Sequence, residues 1–499
     1  MSVESDRYTG RSPLILSGTR DPLLPSTRHP SERIHVAFST DDSNAGVEEL
    51  SWGQCDMWLV MSANDDWMPI GGTRTIESGT SMADIIEELR YSITRFPCLR
   101  TKLRQRDSAP PSQELFTSGE IVLEVFDTDT DSSDSNSNAT FESALVTPEA
   151  VAAAIEEQYQ AQAMDFGTQW PVRMAVVRNR GKLTHMVALV SHLALDASGA
   201  QVMLGDVARR NTAPISGMQP TEQARWQRSP AGVRQNAAAL RYWENLMRSI
   251  PPSRTAGQPR QSERGEPDLG YWSAEFTSPA LLLSAQIIAG RTDADLSAAL
   301  LAFYAVAMAE ITGIDPVVAR PLVNNRFRPS LADVACTIVQ GGIVAVSVKG
   351  ATVDEIVLRA ARATMSAYKN AYYDPMALKD LIDRITQERG AGFEIGCFYN
   401  DRRSETREAR PPGPADHAEL TTARERSAFR WMEQGTDDPA SDIMFLHIDD
   451  APDALILTVR ADAHYFPPRK MEALVRGMET VAVAATFDGS APAETCPAR

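Results

Sequence analysis

The stretch that most constrains the fold is Val187-Ala-Leu-Val-Ser-His-Leu-Ala-Leu-Asp-Ala-Ser-Gly199. An apolar run ends in Ser191-His192, and Asp196 follows after three intervening residues. Small residues then open a helix-like segment from Gln201 to Arg210. A histidine at the end of a buried strand is rigidly held, and an aspartate at the next turn can brace the backbone around it. The result is a fixed imidazole suited to proton transfer near neutral pH. His-x3-Asp alone recurs by chance in a long chain; the flanks give it meaning. His185 lies on the same strand an odd number of residues away, so it points to the opposite face.

The chain has 499 residues, too many for one ordinary core, so two domains or a pseudo-duplicated unit are expected. Hydrophobic residues make up 43% and charged residues 23%, the balance of a globular protein. A net charge of −17 argues against nonspecific nucleic-acid binding, which needs a basic face. Cys55, Cys98, Cys336, Cys397 and Cys496 are scattered and form no Cys-x-x-Cys. They read as reduced thiols of a cytoplasmic protein, and no metal-ligand spacing appears. The first 30 residues lack the apolar core of a signal peptide. The longest apolar run, Ala298 to Ala309, is too short to span a bilayer and reads as a buried helix, so no membrane partner is expected.

Composition divides the chain into a flexible tail (1–33), an N-terminal lobe carrying His-x3-Asp (34–225), a C-terminal lobe (226–487) and a second tail (488–499). Breaker-rich and polar residues 213–232 are the candidate linker. Residues 127–138 read as an acidic surface loop, and 254–267 and 402–416 as flexible stretches. Helical spacing marks 81–95, 292–312, 353–367 and 468–484; strands are expected at 172–177, 183–190, 342–348 and 454–460. Helices and strands recur in both halves, which predicts two mixed α/β lobes.

Several segments form an ordered set that resembles the condensation domains of nonribosomal peptide synthetases, within the wider chloramphenicol acetyltransferase fold. Ser51-Trp-Gly-Gln54-Cys-Asp-Met-Trp58-Leu59 is similar to the opening motif, and Arg95-Phe-Pro-Cys-Leu-Arg100-Thr to the second, with Phe96 and Pro97 in place of the usual His and Glu. Asp165-Phe-Gly and Trp170-Pro-Val-Arg resemble the lead-in to the active-site strand. Ser191-His192-x3-Asp196-Ala197 stands where the family has His-His-x3-Asp-Gly. Tyr242-Trp243, Asn324-Asn325-Arg326, Tyr373-Asp374-Pro375 and Phe398-Tyr-Asn400 resemble later motifs, while Gln340 stands about where a crossover Asn falls. The likeness covers residues 48 to 487.

This resemblance implies two chloramphenicol-acetyltransferase-like lobes in a V with the active site in an interface tunnel. It implies that an amine, or sometimes a hydroxyl, attacks an acyl or aminoacyl thioester on the phosphopantetheine arm of a carrier protein, with no tightly bound cofactor. His192 is then the catalytic residue. Asp196 is architectural, paired with an arginine, Arg326 first and Arg100 second. Ser191 is a supporting hydrogen-bond donor or simply a small strand-end residue, and Asn400 a cavity residue or a turn asparagine. Arg209-Arg210 and Arg402-Arg403 are candidate docking pairs for an acidic carrier, or ordinary solvated charge. Ester formation, transfer from free coenzyme A, and a noncatalytic recruitment module remain open alternatives. No Gly-x-Ser-x-Gly elbow supports a serine hydrolase.

Overall fold

The computed structural model describes residues 28–106, 109–128, 147–250, 270–390, 395–403, 416–432 and 443–487. The expected tails (up to residue 27, and 488–499), the acidic run beyond residue 128, stretch 254–267 and most of 402–416 lie outside the described residues. The chain forms two compact units: residues 1–232 with 326–338, and residues 233–325 with 339–499. The chain thus returns to the first unit for thirteen residues, 326 to 338, a strap within the second half of the sequence.

The first unit contains β1 (Glu32–Ser39), β2 (Gly46–Glu49), α1 (Trp52–Asn64), β3 (Pro69–Thr75), α2 (Met82–Arg95), β4 (Thr101–Arg106), β5 (Ala109–Leu115), β6 (Ser118–Asp127), α3 (Pro148–Ala161), β7 (Val172–Asn179), β8 (Lys182–Ser191), α4 (Ala197–Arg209) and α5 (Pro220–Arg228). Its main sheet runs β1-β6-β7-β8-β3, with β2-β5-β4 as a small second sheet. Strand β8 lies between β7 and β3, so the apolar run before His192 is paired on both edges. Val187 and Leu189 pack with Val151, Ala152 and Ile155 of α3. The opening motif has a mechanical reason: Ser51 and Gln54 form a reciprocal capping box, Ser51 N–H donating to Gln54 Oε1 at 3.0 Å.

The second unit holds α6 (Pro230–Ser249), which begins in the first, then β9 (Tyr271–Ser278), α7 (Pro279–Thr292), α8 (Leu296–Thr312), β10 (Val317–Val323), β11 (Gln340–Gly341), β12 (Val344–Val346), α9 (Val353–Lys369), α10 (Pro375–Arg389), β13 (Cys397–Asp401), α11 (His417–Glu425), β14 (Ala428–Trp431), β15 (Met444–Asp450), β16 (Leu455–Asp462) and α12 (Pro468–Phe487). Its sheet runs β11-β10-β13-β15-β16-β9-β14, with β12 also on β10. Strands β10, β13 and β15 are mutually parallel neighbours, and the later pairs are antiparallel. Helix α8 is apolar all round and buried from Ala298 to Met308, as a central core helix must be. Among the described residues no single helix is long and apolar enough to cross a membrane.

Two readings of the sequence change. The candidate linker 213–232 contains α5, whose Thr221, Gln223 and Gln227 are buried; Gln227 Oε1 accepts from Trp52 N–H at 3.1 Å. The helix expected over 292–312 is present as α8, which starts at Leu296 behind its Asp295 cap; sequence reasoning missed α7, which ends before the left-handed Asp293 (φ 52°). The strand expected over 342–348 shortens to Val344–Val346. Replacing the cap, Ser51→Ala, is expected to destabilise the protein by about 1 kcal/mol. An unchanged urea midpoint would show that the capping box carries no stability.

Candidate active site at the end of strand β8

Ser191 is the last residue of β8 and is fully buried. Its Oγ donates to Trp67 O at 3.0 Å and accepts from Leu193 N–H at 3.2 Å. A hydroxyl therefore closes the tight turn that follows the strand, which accounts for serine at a position where the family has histidine. His192 is anchored by its backbone on both sides. Its N–H donates to Met68 O at 3.0 Å, and its carbonyl accepts from Thr337 Oγ1 of the strap. Ring atom Nδ1 is buried and has no hydrogen-bond partner among the described residues. Burial lowers the imidazole pKa below its usual 6.5, and the Asp196 carboxylate offsets this only in part. The ring is neutral at pH 7.

Asp196 is the N-cap of α4 and spends its oxygens on structure. Oδ1 accepts from Gly199 N–H at 2.6 Å and from Arg326 Nη1 at 2.9 Å; Oδ2 accepts from Arg326 Nη1 at 3.0 Å and from Ile338 N–H at 2.9 Å. Both side chains are buried, at 3% and 9% exposure. Arg326 Nη2 donates further to the carbonyls of Val334 and Cys336, at 3.0 and 2.8 Å. One carboxylate thus ties together the start of α4 and both ends of the strap. Close packing completes the clamp. A Cβ on Gly53 of α1 would sit 2.5 Å from Thr337 O, and one on Gly199 would sit 2.8 Å from both Arg326 Nη2 and Cys336 O. Cys98 Sγ donates to Ala335 O at 2.9 Å, and Gln223 Nε2 to Cys336 Sγ at 3.4 Å.

The structure therefore brings together Ser191, His192, Asp196 and Arg326. Arg100, the second candidate partner, pairs with Asp42 instead. Asn400 stands in the second unit, its Nδ2 3.3 Å from His447 Nδ1. Of the candidate docking pairs, Arg209 is well exposed, whereas Arg403 is buried against Asp401 and Arg402 pairs with Asp449; Arg402-Arg403 is not a free basic pair. Sequence reasoning missed Thr337 and Ile338, which have no local signal: their partners lie more than 140 residues away. Gln340 does carry structure: its side chain donates to Tyr373 O at 3.0 Å and accepts from Tyr373 N–H at 3.3 Å.

The family model of the condensation domain matches residues 79–395, and the chain belongs to that family. Among solved structures, the chain is similar to a condensation domain from the enacyloxin polyketide synthase (17% identity, TM-score 0.65, covering 91% of this chain and 84% of that one). It is also similar to the X-domain from teicoplanin biosynthesis (15%, 0.65, 90% and 97%) and to the SgcC5 protein from Streptomyces globisporus (19%, 0.60, 89% and 100%). At these identities the likeness is one of fold: the mixed α/β, chloramphenicol acetyltransferase-like fold expected from the sequence. A comparison with curated protein sequences returned no match.

The clamp predicts a steric sensitivity. Gly199→Ala is expected to push Arg326 off Asp196 and cost about 1–3 kcal/mol, the usual penalty of overpacking. Urea denaturation checks this; a midpoint equal to that of the parent protein would mean the strap yields freely at Gly199.

Proposed function

We propose that this protein is a condensation enzyme of natural-product biosynthesis that joins a carrier-protein-bound acyl or aminoacyl thioester to an amine, forming an amide. The observation that supports it best is a neutral imidazole on a backbone fixed at both its N–H and its carbonyl. A neutral His192 can take a proton from the attacking amine; with Nδ1 buried, Nε2 is the nitrogen left to meet a reactant. The amine nitrogen bonds to the thioester carbon, the carbon–sulfur bond breaks, and the proton passes by way of His192 to the departing phosphopantetheine thiolate. Holding two large reactants in line supplies much of the rate, about 7–11 kcal/mol when orientation is good. No cofactor enters this chemistry: the phosphopantetheine arm arrives with the substrate. Asp196 positions the backbone and is not the base, since the hydrogen bonds from Gly199, Ile338 and Arg326 already occupy it.

An alcohol acceptor, giving an ester, or a coenzyme A thioester as donor would use the same groups. A noncatalytic recruitment role is a second reading, favoured by serine at position 191 and by the similar X-domain, which has been solved in complex with OxyB.

Mass spectrometry of reactions with carrier-bound and coenzyme A thioesters, plus amine and alcohol acceptors, separates these readings. A new amide is expected, reduced about 10²–10⁴-fold in His192→Ala. Full product from that variant would remove His192 from the chemistry, and no product from any combination would favour recruitment. The pH dependence has a definite sign. Because the native imidazole titrates below 6.5, kcat/KM is expected to hold down to that pH and then fall as His192 gains its proton. Unfolded His192 binds its proton first on acidification, so its contribution lowers stability between 6.5 and the native value and changes no further below it. A kcat/KM limb above 7 that His192 controls would contradict the neutral-base assignment.

A further inference from the structure

A second histidine on the second unit has the features of a ligand-binding group. Met444, Leu446 and Ile448 of β15 point into the helical core, so Phe445 and His447, which alternate with them, face the other side of the sheet. His447 sits directly opposite Asn400 of β13, and Phe445 opposite Phe398. These side chains make a row of parallel planes. Phe398 and Phe445 stack at 5.2 Å and 10°, Phe445 and His447 at 4.4 Å and 16°, and the Arg320 guanidinium lies 4.4 Å from the Phe398 ring. His447 is only 6% exposed, while both phenylalanines are partly exposed. Burial, with Arg402 and Arg460 adding to it, holds the His447 pKa well below its usual value, so the ring is neutral. Among the described residues its only hydrogen bond joins Nδ1 to the Asn400 amide nitrogen, which donates. That bond fixes the tautomer: the proton resides on Nε2, which has no acceptor among the described residues. The Nε2–H is not sealed from solvent, so a bound molecule can reach it, and the flat rings beside it are a stacking surface.

We infer that His447, oriented by Asn400 and flanked by the Phe398–Phe445 stack, is a recognition site for a small molecule with a flat apolar body and a carbonyl or carboxylate oxygen that accepts the Nε2–H. This goes beyond the proposed reaction and holds whether or not His192 is catalytic. Thr458 lies opposite His447 and Arg460 opposite Phe445, so polar groups border the row.

Titration of the full chain, carrying ¹⁵N-labelled histidine, tests the inference with indole-3-carboxylate, indole-3-carboxamide and indole as probes. The His447 ring signals are assigned by their loss in His447→Gln. The expected result is a saturable shift of Nε2 with at least one oxygen-bearing probe, and binding of indole about tenfold weaker or less. A shift with both probes identifies a carbonyl-type acceptor, and one with the acid alone a carboxylate. His447→Leu is expected to lose about tenfold affinity for the oxygen-bearing probe while leaving indole unchanged. No saturable Nε2 shift in the folded wild-type chain, a readout that needs no variant, would overturn the site. So would unaltered affinity in His447→Leu.

Discussion

The Asp196 carboxylate is the point on which the rest of the site depends. It accepts hydrogen bonds from the backbone of Gly199, the backbone of Ile338 and the guanidinium of Arg326. The first bond starts helix α4; the other two fasten a strap contributed by sequence 130 or more residues away. A buried ion pair is worth having only when its desolvation is met by further hydrogen bonds. Here Asp196 is so satisfied, and Arg326 Nη2 also holds the carbonyls of Val334 and Cys336. The strap in turn supplies Thr337 to the carbonyl of His192. The position of the imidazole is therefore set by groups that never touch its ring.

This arrangement divides the motif into two parts. Asp196 and Arg326 form the framework, and Ser191 closes the turn by bonding Trp67 O and Leu193 N–H. His192 keeps its ring outside that network, with burial holding it neutral. A carboxylate that hydrogen-bonded the ring would raise its pKa and commit one nitrogen. Turning the carboxylate toward the strap leaves the neutral imidazole on a fixed support.

Much of this was legible in the sequence. The run from Val187 to Ser191 announced a buried strand, the all-apolar Ala298 to Met308 announced a core helix, and Ser51-x-x-Gln54 is a capping box that local spacing displays. Arg326 was reachable as a partner of Asp196 only through family resemblance, since no local pattern links residues so far apart. What escaped had a common cause: polar residues used inside the fold. Thr221, Gln223 and Gln227 read as linker because they are polar, yet all three are buried in α5, where Gln223 and Gln227 make hydrogen bonds. His447 was hard to mark in sequence, because only Phe445 is near it along the chain and Asn400 meets it across the sheet.

A double-mutant cycle on Asp196 and Arg326, read by equilibrium unfolding, tests the central claim most directly. Asp196→Ala and Arg326→Ala each leave a buried charge unpaired, so each is expected to cost about 3–5 kcal/mol. The double variant removes both charges together and is expected to cost little more than either alone, a coupling of about 3 kcal/mol. Additive losses would mean that the carboxylate and guanidinium act independently, and the strap would then have to be held by other contacts.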